Sequence, residues 1–133
     1  MALTHTTAIR NILADAVVDA IDAGTGDASG DMQLATSTGF TTIPATILFA
    51  TPPAFGNASS GTATMNSAPR EDSNAAGDAS PVTHFRTRDR DNTEIFRGTI
   101  TVSGGGGDMI LSSVTINATD AVRINSFTYS APP

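Results

Sequence analysis

The stretch PVTHFRTRDRDNTEIFRGTITVS, Pro81 to Ser103, decides how this chain folds. It reads as a long β-hairpin around which the other strands pair. With Asp91-Asn92 as the tight turn, a place where Asp/Asn pairs with positive φ are at home, one face carries Thr83, Phe85, Thr87, Phe96, Gly98, Ile100 and Val102. The other carries His84, Arg86, Arg88, Arg90, Thr93, Ile95, Arg97, Thr99 and Thr101. Successive strand side chains point to opposite faces, so the first set needs a core, while four of the chain's arginines gather on the second. Two registers keep this division. A two-residue turn sets Arg86 opposite Arg97; a four-residue loop sets Arg86 opposite Ile95 and Phe85 opposite Phe96. Directly opposed like charges are unfavourable, which favours the longer loop. In both registers the guanidinium groups have few acids on their own face, and arginine's planar fork suits carboxylates of a partner chain. Arg86, Arg88, Arg90, Arg97 and His84 are therefore the candidate partner-binding residues, against the plainer reading of a solvated sheet face.

The chain has 133 residues, a net charge of −6 and no cysteine. That length fits one domain, residues 1–133, with a real core. An acidic chain without a single lysine is a poor general binder of nucleic acid, since phosphate neutralisation supplies most non-specific affinity. No apolar run reaches the roughly 18 to 20 residues of a spanning helix, so no membrane partner is expected. The N-terminus also lacks a basic segment followed by an apolar one, so no signal peptide is expected. Aromatic residues make up only 5%, and Thr, Ala, Ser and Gly abound. The core is thin for the length, and part of its burial is expected to come from neighbouring subunits.

Before the hairpin, a helix is expected over about residues 7–23. Thr6 or Thr7 can cap it, and Gly24 can end it. Ile9, Ile12, Leu13, Ala16, Val17, Ala20 and Ile21 have helical spacing, leaving Asn11, Asp15, Asp19 and Asp22 as a narrow wet ridge. Such a helix needs cover on most sides, from an underlying sheet or from a neighbouring subunit. Short strands are expected around Met32 to Thr36, Ile43 to Ala50 (starting near an edge or after Pro44) and Thr62 to Ser67. The run APREDSNAAGDAS, residues 68–80, reads as an exposed loop or arm. Gly104 to Gly107 is a flexible joint. In the last part, Val122 and Ile124 are even-numbered, whereas Phe127 and Tyr129 are odd-numbered, so a β-bulge near Asn125-Ser126 is expected to restore them to one side. The sum is a mainly β domain, a β-sandwich or jelly-roll-like fold of about seven or eight short strands with one N-terminal helix.

Chemistry is scarce in this sequence. Without lysine there is no phosphate-loop motif and no Schiff-base nucleophile. His5 and His84 have no partner at metal-ligand spacing, and Asp89, Asp91 and Glu94 lack the glycine and distant glutamate of a calcium loop. The hydroxyls have no histidine placed to activate them. No enzyme activity, metal or cofactor is expected. Asn117-Ala118-Thr119 matches a glycosylation sequon, with nothing to indicate a secretory route.

Three segments carry a resemblance: PAFGNASSGTATMN (Pro53 to Asn66), the run from His84 to Gly104 with FRTRD and its turn, and MILSSVTINATDAVRINSFTYSAPP (Met109 to Pro133). Together with the N-terminal helix and the lack of cysteine, they resemble small virion proteins of tailed bacteriophages, most of all capsid decoration (cement) proteins. The sequence departs from that pattern at Asn92, where glycine is usual, and in its ladder of arginines. The resemblance implies a structural subunit on the outer surface of the head. It would bind the major capsid protein and copies of itself, a trimer being one such arrangement. A tail, neck or fibre-associated virion component is the alternative. A carbohydrate-binding module ranks lower, because the chain has no tryptophan and one tyrosine.

Overall fold

The computed structural model describes residues 3–133. Helix α1 (Thr7–Asp19) continues into a 3-10 turn (Ala20–Asp22) and is followed by β1 (Asp31–Ala35), β2 (Ala45–Leu48), β3 (Thr62–Thr64), β4 (Arg70–Asp72), β5 (His84–Arg88), β6 (Glu94–Val102), β7 (Met109–Leu111), β8 (Val122–Ile124) and β9 (Thr128–Ser130). Among the described residues the protein is mainly β, with nine strands in curled sheets and a single α-helix, one or two strands more than the sequence announced. Five strands form a sheet in the order β2-β1-β5-β6-β7, and β3-β9 and β4-β8 form two short ladders.

The hairpin is central: its ladder takes the register that sets Arg86 opposite Arg97, not the longer-loop register that like-charge repulsion favoured, but its turn is neither of the two expected. Asn92 N donates to Asp89 O (3.1 Å), Asp89 N donates to Thr93 O (2.8 Å), and Asn92 has φ 66°. This is a three-residue loop, Arg90 to Asn92, closed by a left-handed residue that asparagine tolerates better than most side chains do. Asp89 Oδ1 secures it by accepting from the amides of Asp91 and Thr93 at 2.9 and 2.8 Å. Arg88 then pairs with Glu94 but Thr87 with Phe96, so Ile95 is the extra residue of a β-bulge. Beyond it Arg86 does lie opposite Arg97 and Phe85 opposite Gly98. The bulge exchanges the faces of two residues: Glu94 turns to the arginine side, and Ile95 packs against the core.

That core is continuous, running from Val18 and Ile21 through Met32, Leu34, Ile47 and Phe49 to Phe85, Leu111 and Ile124. Ala45, Ala54, Ala63 and Ala75 are buried in it. Aromatic rings supply the bulk. Phe127 meets Phe55, Phe85 and Phe96 at centroid distances of 6.1, 5.7 and 6.2 Å.

Three segments differ from expectation for reasons outside local sequence. The 68–80 run is stitched down instead of forming a free arm. Within it β4 pairs with β8, Arg70 Nε donates to Leu48 O (2.8 Å), and Asp72 Oδ2 accepts from Thr46 N (3.0 Å), so side chains of β4 serve the edge of β2. Residues 125–127 are not a bulge within one ladder. The chain leaves β4 after Ile124 and joins β3 at Thr128, which allows Val122, Ile124, Phe127 and Tyr129 to contact one core despite their parity. The glycines at 104–107 have a definite task. Strands β6 and β7 are parallel neighbours joined by only six residues, Ser103 to Asp108, where a crossover of a dozen or more is usual. The chain doubles back over Thr101, and a Cβ on Gly105 or Gly107 would lie within 2.6 or 2.9 Å of that side chain. Only bare backbone fits there.

Candidate functional site

Of the five sequence-predicted residues, the structure brings Arg86, Arg88 and Arg97 onto one face, with His84 at its far end and Arg90 in the turn. The expectation that this face lacks acids does not hold. Strand β1 places Asp31 opposite Arg88 and Gln33 opposite Arg86. Arg88 grips Asp31 through Nε (2.9 Å to Oδ1) and Nη2, with both side chains largely buried. Arg97 makes the same two-pronged contact with Glu94, Nε to Oε1 at 2.6 Å and Nη2 to Oε2 at 2.7 Å. Arg86 donates to Gln33 Oε1 at 2.9 Å and reaches Glu94 at 3.5 Å. Both guanidinium groups of Arg86 and Arg97 also cover the ring of Phe40, at 4.6 and 5.0 Å from its centre. Arg90 Nε donates to Asp27 O at 2.7 Å. His84 Nδ1 lies 2.8 Å from Thr83 Oγ1, which itself donates to Thr36 O. The arginines therefore clamp β1, β5, β6 and the Thr38–Phe40 loop together. Sequence parity missed Glu94 because the bulge reversed it, and Asp31 and Phe40 because they come from distant parts of the chain.

Charge effects follow from these contacts. The hydrogen bond from Arg97 holds the Glu94 carboxyl below its ordinary range; the amides of Thr25 and Gly26 do so for Asp91, and the Thr99 amide and hydroxyl for Asp108. Burial pushes Asp22 the other way, more than its hydrogen bond from the Ala54 amide lowers it. A carboxyl with a depressed folded pKa contributes stability that is present above its unfolded value, about 4, and lost as pH falls through the folded value. Asp22 has the opposite sign, its contribution being complete below its unfolded value and lost as pH rises. Three lowered groups oppose one raised group, so the urea midpoint is expected to fall on acidification from pH 6 to below pH 4. A flat or rising midpoint across that window would show that these contacts persist in the unfolded chain or contribute nothing.

The helix is oriented opposite to its hydropathy. Of the expected wet ridge Asp19 is exposed, but the other three members face inward: Asn11 Oδ1 accepts from Gly61 N (2.7 Å), Asp15 Oδ1 from Ala58 N (2.7 Å) and Asp22 from Ala54 N (3.0 Å). These carboxylates and the amide serve the backbone of the 54–61 loop, whose N–H groups have no ladder partner at those positions. Ala14, Val18 and Ile21, on the same side, enter the core. Ile9, Ile12, Leu13 and Ala16, spaced i, i+3, i+4 and i+7, face outward; Ile12 is 63% exposed and Ile9 43%. Thr6 caps the helix, its Oγ1 accepting from Ile9 N at 3.4 Å. Asp15→Ala would leave the Ala58 amide without its partner and is expected to cost about 1–3 kcal/mol; urea denaturation reads this, and a loss below about 0.5 kcal/mol would mean that water replaces the carboxylate.

Among the described residues, no group of three or more His, Asp or Glu side chains could hold a metal ion, and no helix is long and apolar enough to cross a membrane. What the arrangement offers is surface: a self-neutralised arginine face and an outward apolar helix stripe. Comparison with family models, with curated proteins and with solved structures returns no match to this chain.

Proposed function

We propose that this protein is a structural component of a bacteriophage virion, a capsid decoration (cement) subunit that binds the major capsid protein on the outer surface of the head and stabilises the shell. The observation that carries this reading is the outer face of α1. A helix that turns Asn11 and Asp15 inward to hold a loop, and Ile9, Ile12 and Leu13 outward, has unmet burial on the outside. Free-standing domains place such stripes against their own core, and exposed contiguous apolar surface marks an interaction site. The resemblance of three segments to small phage virion proteins supplies the kind of partner. Docking through α1, onto the shell and onto copies of itself, adds to the shell's stability by mass action. The arginines keep the platform rigid; as internally paired groups they have little left to offer a carboxylate.

The deciding measurement is the number of copies per particle relative to the major capsid protein, by quantitative mass spectrometry of purified virions. A ratio near one, or a simple fraction of it, supports the decoration role. A ratio near one hundredth would move the protein to the neck, tail or fibres, and absence from the particle would overturn the structural reading.

A further inference from the structure

A second surface is left open by the fold. Strand β7 has β6 as its one hydrogen-bonded neighbour among the described strands, and β8 has β4. Their other edges line a groove of about 610 Å³. The direction of the backbone on β7 follows from its neighbour. Ile100 N donates to Thr83 O at 2.8 Å, on the β5 side of β6. Backbone groups alternate along a strand, so those of Thr101 point to β7. Thr101 lies opposite Ile110; in a parallel ladder such a residue bonds to the neighbours of the one it faces, here Met109 and Leu111. The N–H and C=O of Ile110 are thereby turned into the groove.

Natural proteins protect an edge by keeping it very short, as β7 is, or with lysine, proline, a bulge or an inward charge. Beyond its shortness Met109-Ile110-Leu111 has none of these, and the Ile110 side chain is 51% exposed. Below the edges lie Leu111, Ile116, Val122 and Phe127. The charged side chains on the rim are already occupied. Asp108 accepts from the Thr99 amide and hydroxyl at 2.9 and 3.0 Å, Arg123 holds Glu71 at 2.8 Å, and Asp120 accepts from Asn117 N at 2.8 Å. These pairings leave the rim little charge to recognise an ionic ligand, Arg123 being tied to Glu71 through Nε and Nη2. Main-chain hydrogen bonds and apolar contact are what remain. An outward-facing N–H and C=O beside apolar side chains are what an extended chain meets in alternation.

We propose that the β7/β8 groove accepts an extended, uncharged segment of a partner polypeptide, apolar at alternate positions, which adds as a strand against the Ile110 edge. This site is separate from α1 and does not depend on the capsid reading. The test titrates the full-length ¹⁵N-labelled protein with a capped hexapeptide of alternating threonine and valine. Amide shifts are expected to concentrate in residues 109–112 and 122–128, and exchange of the Ile110 amide with solvent is expected to slow. Ile110→Pro removes the groove-facing donor and spares the bonds to β6, because proline is tolerated where a strand's N–H faces away from the ladder. It is expected to weaken peptide binding about tenfold, the order of one lost hydrogen bond, whereas Ile110→Ala, which keeps the amide, binds within about threefold of the original. Shifts scattered elsewhere, an Ile110 amide that exchanges equally fast with and without peptide, or equal binding by folded Ile110→Pro would each overturn the proposal. The exchange measurement on the unaltered protein decides even if the proline variant does not fold.

Discussion

Ile12→Asp is expected, on the proposed decoration role, to abolish binding to phage heads while leaving the protein's own fold intact. Ile12 is the most exposed residue of the outward stripe on α1, and it touches no part of the core. Burying an isoleucine contributes about 1.5–3 kcal/mol, and roughly 1.4 kcal/mol is a factor of ten in affinity. Putting a carboxylate at the centre of the contact adds a desolvation cost to the lost burial. Binding to heads prepared without this protein should therefore fall by about tenfold to a hundredfold, with an unchanged melting temperature. Ile12→Ser, which adds no charge, should lie between the two. The contrasting pair is Arg86→Ala with Arg97→Ala, which removes the Glu94 and Phe40 contacts. This double variant is expected to melt earlier yet occupy heads as before at temperatures where it is folded. If the arginine pair lowers occupancy and Ile12→Asp does not, the docking surface is the arginine face and the helix reading is wrong.

The largest effect on stability is expected at Phe85. Its ring is almost fully buried, meets Phe127 edge-on at 5.7 Å and Phe96 at 6.5 Å, and lies against Gly98, where a Cβ would come within 2.7 Å of it. Phe85→Ala removes a large apolar volume and leaves a cavity that the neighbouring strand, hydrogen-bonded on both sides, cannot collapse to fill. The expected cost is about 3–5 kcal/mol, a large part of the 5–15 kcal/mol typical of a whole domain. In a core with this much alanine there are few other rings to share the loss. Urea denaturation gives the value directly. Phe85→Leu, which keeps most of the volume, should cost much less, and a loss under about 1 kcal/mol for Phe85→Ala would mean that Phe96 and Phe127 close the gap.

Either result bears on how the protein works. The proposed role needs an outer surface that is presented rigidly, and rigidity comes from two sources on opposite faces of the sheet. The aromatic cluster joins β5, β6 and β9 from inside. The arginine, acid and Phe40 network ties β1, β5 and β6 from outside. The helix is fastened by hydrogen bonds to the 54–61 loop, so its apolar stripe is held in one orientation without having to be buried.

Much of this was legible from residues alone. The alternation in Pro81 to Ser103 separates Phe85, Phe96 and Ile100 from Arg86, Arg88 and Arg97, and that separation holds in the structure, because a strand's period of two leaves no other choice. Thr6 as cap, Gly24 after the helix and the start of β2 just beyond Pro44 are equally local, each set by backbone conformation or a missing N–H. What residues in isolation could not decide is which partner each side chain meets. The bulge at Ile95 turned Glu94 towards the arginines, and Asp31, more than fifty residues upstream of Arg88, came to it through strand pairing. Hydropathy pointed the helix with Ile12 inward, but the unpaired amides of Gly61, Ala58 and Ala54 claimed Asn11, Asp15 and Asp22 instead. Periodicity records the preference of one element for water or oil. The face that is finally buried is chosen by the backbone groups that need a partner once distant segments have come together.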